Sequence, residues 1–102
     1  NVMRVRTKSI SFKADQKLVG FIEEKMAKLD RFFDRIQGAN VVLKLENSGQ
    51  VRDKITEIHL QIPGNTLIAR AESKSFESSA TTAIDSLKRQ LKRYKGKAKK
   101  HV

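Results

Sequence analysis

"KITEIHLQIPGNTLIARAES", Lys54 to Ser73, is the stretch that decides the fold. Thr56, Ile58, Leu60 and Ile62 recur at period two on one side of an extended chain, with Glu57, His59 and Gln61 on the other. "PGN" at 63 to 65 is the strongest turn signal present, because Pro presets φ and Gly tolerates positive φ. "TLIARAES" then reads as a returning strand, so the stretch is a hairpin with one apolar face. Upstream, "ANVVLKLEN" is a strand rich in β-branched residues, closed by the turn signal "NSGQ" at 47 to 50. Three strands in a meander must bury that face against other elements.

Two helical stripes can cover it. Asp15 predicts an N-cap for a helix from Gln16 to Phe33, in which Leu18, Ile22, Met26, Leu29 and Phe33 recur at three- and four-residue spacing. Ser75 predicts a second N-cap, followed by Phe76, Ala80, Ala83, Ile84, Leu87, Leu91 and Tyr94 at the same spacing. Gly96 predicts the helix stop, which divides the chain into one domain, 1–96, and a basic flexible tail, 97–102. At the other end, Val2 to Phe12 alternates: Met3 and Val5 on one side, Arg4, Arg6 and Lys8 on the other, then Ile10 and Phe12. This is a strand with one basic face. The order β-α-β-β-β-α gives an α+β fold, a four-stranded sheet with two helices on one face, similar in layout to double-stranded-RNA-binding domains.

The chain has 102 residues and a net charge of +11. Residues 1 to 85 carry +3 of that charge, and "SLKRQLKRYKGKAKKHV" from Ser86 carries +8 with no acid. A field so concentrated suits a polyanionic partner, since each cation placed on a phosphate releases a counterion. On the second helix Lys88, Arg89, Lys92, Arg93 and Lys95 flank the apolar stripe, so a rigid rod carries them. On the first, Lys25, Lys28 and Arg35 share a face with Phe21 and Phe32, and the two sets can border one groove. Lys-rich final turns also complement a helix dipole and aid solubility. Phosphates, an acidic protein surface and plain solvation all remain open on charge alone. With aromatics at 6%, base stacking is disfavoured relative to contacts with phosphate and helix shape.

Enzyme chemistry finds no support. The chain has no cysteine, which excludes disulfides, thiolate catalysis and Cys-ligated zinc. His59 lies on a strand and His101 in the tail, and Glu23 and Glu24 are surface charges near Lys25 and Lys28. No catalytic residue, metal ligand set, cofactor or small-molecule substrate is expected. No apolar run nears the roughly 20 residues of a membrane span, so the expectation is a cytoplasmic protein without membrane contact.

Two segments, "EKMAKLDRFFDRIQGANVVLKLEN" and "AIDSLKRQLKRYKGK", resemble the ribosome hibernation promoting factor family, which includes the ribosome-associated translation inhibitor or sigma-54 modulation protein. The likeness runs in order from the first strand to the last helix. It implies a monomeric factor that binds the small (30S) ribosomal subunit in the decoding cleft. There it blocks messenger RNA and A- and P-site transfer RNA in stationary phase or stress. Carried over by position, Lys25, Lys28, Arg89, Arg93, Lys95 and Lys97 face ribosomal RNA, and the charge pattern adds Lys92. The chain departs from the family where many members read Asp-Met-Tyr before the last helix, having Ser75, Phe76 and Glu77. Its length resembles the short form, which lacks the separate dimerisation domain and needs a second factor to pair ribosomes. The alternative from another class is a general double-stranded-RNA-binding module. A third is a domain whose basic helix docks an acidic protein.

Overall fold

The computed structural model describes residues 4–10, 12–48 and 51–100. The elements are β1 (Arg4–Ile10), α1 (Gln16–Phe32), β2 (Gly38–Ser48), β3 (Val51–Ile62), β4 (Asn65–Ser73) and α2 (Phe76–Lys100). Val2, Met3, Gly49, Gln50, His101 and Val102, which the sequence reading placed in a strand, a turn and the tail, lie outside the described residues.

The hairpin forms where its turn chemistry predicts. Ile62 pairs with Asn65, and Gly64 takes φ 75°, the left-handed value that position i+2 of a type II turn requires after Pro. β2, β3 and β4 run antiparallel, whereas β1 pairs with β2 in parallel, from Arg4↔Gly38 to Ile10↔Lys44. A parallel pair needs a crossover, and α1 supplies it. The sheet order is therefore β1-β2-β3-β4 in a mixed sheet.

Asp15 caps α1 as predicted: Leu18 N–H donates to its Oδ1 at 2.8 Å. Ser75 caps α2, its Oγ accepting from Ser78 N–H at 3.1 Å. Leu18, Ile22, Met26, Leu29 and Phe33 from the first stripe meet Ala80, Ala83, Ile84, Leu87 and Leu91 from the second in one buried cluster. Val41, Leu43, Ile58, Leu60, Ile62, Ala69 and Ala71 complete it from one face of the sheet, so both helices cover that face. α2 packs across β3 and β4, and the small residues Ala80 and Ala83 on α2 and Ala69 and Ala71 on β4 are all buried in this core.

One polar pair sits in this core. Thr56 Oγ1 and Ser79 Oγ are 2.7 Å apart and fully buried, and the Ser79 hydroxyl also reaches the Phe76 carbonyl at 3.2 Å. With the serine proton given to that carbonyl, the threonine hydroxyl donates to Ser79 Oγ, and both groups are satisfied.

Two expectations are corrected. α2 does not stop at Gly96 but continues to Lys100. Glycine inside a helix costs only about 1 kcal/mol relative to alanine, and the Lys and Ala residues that follow are good helix formers. Arg35 is not on the first helix, because Phe33 is already the C-cap, with φ −138° and ψ 106°.

Candidate nucleic-acid interface

The apolar stripe of α2 fixes the direction of its charges, since a helix turns about 100° per residue. Lys88, Lys92 and Lys95 follow at four and three residues and flank the stripe on the side of Ile84. Arg89 and Arg93 fall on the opposite flank, with Ser86 and Gln90. α1 packs beside α2, and Lys25, Lys28, Leu29 and Phe32 face Ile84, Asp85 and Lys88 across a groove of about 190 Å³.

Phe32 is the centre of this groove. Lys88 Nζ stands 5.3 Å from its ring centroid and Lys95 Nζ 4.6 Å, two cations on one aromatic face system. Lys25 Nζ lies 5.6 Å from the Phe21 ring one turn and more up the same helix. Lys95 also donates to the Phe32 carbonyl at 3.2 Å. That carbonyl belongs to the last turn of α1 and has no partner within its own helix, so the ammonium closes the helix end and meets its negative dipole. An ammonium has three donors, which leaves Lys95 others to offer a ligand.

Of the residues expected at the site, the structure brings Lys25, Lys28 and Lys95 to the groove, with Lys88 between them. Lys92 stands one turn from Lys88 and is exposed on the groove side. Arg89 and Arg93 are exposed but do not enter the groove; Arg93 lines a separate hollow with Asn65, Leu67, Ser86, Gln90 and Tyr94. Lys97 lies in the helical backbone of α2, and its side chain is outside the described residues. Arg35 lies over the Phe33 ring at 5.2 Å instead of joining Lys25 and Lys28. The role of Phe32 as a shared platform for two lysines of another helix was not legible in the sequence; its place beside the apolar stripe was the only signal.

Asp85 is the one acid lining the groove, and it makes no ion pair among the described residues. The groove keeps a positive balance. Glu57, His59 and Gln61 share the face of the sheet away from the helices, where His59 Nε2 is 3.5 Å from Glu57 Oε2. Among the described residues no group of three or more His, Cys, Asp or Glu is placed to hold a metal ion. Among the same residues no helix is long and apolar enough to cross a membrane.

The profile of the family described as "Sigma 54 modulation protein / S30EA ribosomal protein" matches residues 5–99. The ribosome hibernation promoting factor of Klebsiella oxytoca is 37% identical over 81 residues, 79% of this chain and 81% of that protein. The one from Pseudomonas putida is 33% identical over 95 residues, covering 93% and 89%. A ribosomal subunit interface protein from Coxiella burnetii superposes with a TM-score of 0.83 at 21% identity, over 92% of this chain and 99% of that one. The Protein Y N-terminal domain of Thermus thermophilus gives 0.77 at 26% identity, over 90% and 99%.

Proposed function

The chain belongs to the sigma 54 modulation protein / S30EA ribosomal protein family, and on that premise we propose that it is a non-enzymatic ribosome hibernation factor. It acts in the cytoplasm by binding the small subunit over the decoding cleft. There it excludes messenger RNA and A- and P-site transfer RNA by occupying their space, in stationary phase or stress. The observation that carries the proposal is the α1–α2 groove, lined by Lys25, Lys28 and Lys88, with Lys88 and Lys95 standing over the Phe32 ring on two packed helices.

Such a groove suits ribosomal RNA for physical reasons. The ammonium groups are held on helices already paid for by core packing, so little freedom is lost when phosphates dock between them. Lys92 extends the row, while Arg89 and Arg93 offer planar forks to a second stretch of backbone on the outer flank, with Lys97 beyond. No covalent step is required; occupancy alone inhibits.

Sedimentation through a sucrose gradient tests this. The protein should travel with 30S or 70S particles at moderate salt and be displaced by excess transfer RNA. Lys25→Gln with Lys28→Gln and Lys88→Gln should flatten the salt dependence of binding by about 2 to 3 in log–log slope, at roughly 0.7–0.9 per phosphate contact. Equal affinity for any RNA duplex would instead favour a general double-stranded-RNA-binding module. A protein left at the top of the gradient in low salt would sink both ideas.

A further inference from the structure

We propose that the open face of the sheet carries a second track for RNA backbone, formed by Arg4, Arg6 and Lys8 on β1 and a polar hollow around Gly38. The identity of the polyanion as RNA rests on the ribosomal reading above; the existence of the track does not.

β1 alternates strictly, with Arg4, Arg6 and Lys8 exposed and Val5, Thr7 and Ser9 half-buried toward the helices. Strand geometry spaces alternate side chains about 6.7 Å apart in a straight row. Three cations in a line follow a backbone; they do not clamp a single anion. None of the three makes an ion pair or a side-chain hydrogen bond among the described residues. The acids of this face stand away from them. Glu72 is held by Arg70 at 2.8 Å on β4, Glu57 by His59 on β3, and Glu46 faces Asp53 at the far end of the β2–β3 hairpin. The face is thus polarised, positive along β1.

Beside this row lies a hollow of about 300 Å³ lined by Arg4, Arg6, Gln37, Gly38, Asn40 and Gln61. Its origin is a missing side chain. Arg4, Gly38 and Gln61 are successive partners across β1, β2 and β3, and a Cβ on Gly38 would meet Arg4 O and Gln61 Oε1 at 3.3 Å. Two guanidinium forks and three carboxamides therefore surround a bare patch of backbone. The forks suit phosphate oxygens, and carboxamides both donate to and accept from a ribose hydroxyl. Charged residues on an edge strand also discourage pairing with another strand. That role accounts for the cations but not for the neutral donors gathered around Gly38.

The track faces away from α1 and α2, so it and the helical groove do not compete for one RNA segment. A protein seated in an RNA cleft would meet one wall with each face.

The test uses the full chain, a short single-stranded oligouridylate and purified ribosomes. Oligouridylate should shift the backbone amide resonances of Arg4–Ile10 and Gly38–Asn40 as well as those of the helices. Arg4→Gln with Arg6→Gln and Lys8→Gln, all at exposed positions, should flatten the salt dependence of oligouridylate binding by about 2 in log–log slope. The ratio of wild-type to variant affinity should then grow about 20-fold from ~200 to ~50 mM KCl. Shifts confined to the helices, with an unchanged slope, would overturn the track. Equal β1 shifts with poly-glutamate would overturn the assignment to RNA. If wild-type protein fails to sediment with ribosomes while the β1 shifts persist, the ribosomal reading falls and the track stands. If sedimentation is intact and the β1 variant behaves as wild type in both assays, the track alone falls.

Discussion

The buried Thr56–Ser79 pair should show a large and lopsided thermodynamic coupling. It ties the first turn of α2 to the centre of β3, with both side chains at 0% exposure. Ser79→Ala removes the acceptor of the threonine hydroxyl and leaves that group buried and unpaired. Stranding it costs about 1–3 kcal/mol, offset by roughly 0.5 kcal/mol from the better helix propensity of alanine. Thr56→Val leaves Ser79 bonded to the Phe76 carbonyl but puts a methyl group where the oxygens stood 2.7 Å apart, closer than carbon and oxygen pack. Relieving that overlap costs on the order of 1–3 kcal/mol. In the double variant the methyl fills space that the serine oxygen vacated, and no polar group is stranded. Its loss should therefore be smaller than that of Ser79→Ala alone, with a coupling energy of about 1–3 kcal/mol. Urea unfolding followed by circular dichroism measures all four proteins on one scale. Single variants whose losses simply add in the double would refute the proton assignment from Thr56 to Ser79 and the packing argument with it.

Leu87→Ala truncates a fully buried side chain where α2 meets the sheet and should cost about 2–5 kcal/mol in the same assay. Gly64→Ala should cost about 1–2 kcal/mol although nothing lies within 4 Å of the added Cβ, because φ 75° is strained for any L side chain. Phe32→Leu keeps apolar bulk but removes the ring under Lys88 and Lys95. Both contacts are made within the folded chain, so their loss should lower stability by about 1–2 kcal/mol, at about 0.5–1 kcal/mol for each, read as a lower urea midpoint.

Much of this architecture is written locally. Asp15 and Ser75 announce their helices because a cap acts on backbone groups two or three residues away. The buried stripes of both helices and the inward face of β3 follow from periods of 3.6 and 2, which any folded context must respect. Pro63-Gly64 sets its turn through the conformational limits of two residues. The concentration of charge in the last seventeen residues and the basic face of β1 are equally plain in the sequence.

Local chemistry and periodicity therefore set which segments form helices and strands, which side chains enter the core, and where positive charge gathers. How those charges are shared out depends on long-range packing. Helical spacing puts Lys88, Lys92 and Lys95 on one flank of α2 and Arg89 and Arg93 on the other, but the packing of α1 against α2 decides which flank borders the groove and lets Lys95 reach the Phe32 carbonyl across 63 positions. Arg35 leaves the groove because the helix ends at Phe32. The hollow at Gly38 exists only because β1 pairs in parallel with β2 and brings Arg4 beside a residue with no side chain. Pairing and packing depend on residues far apart in the chain, so local periodicity carries no record of them.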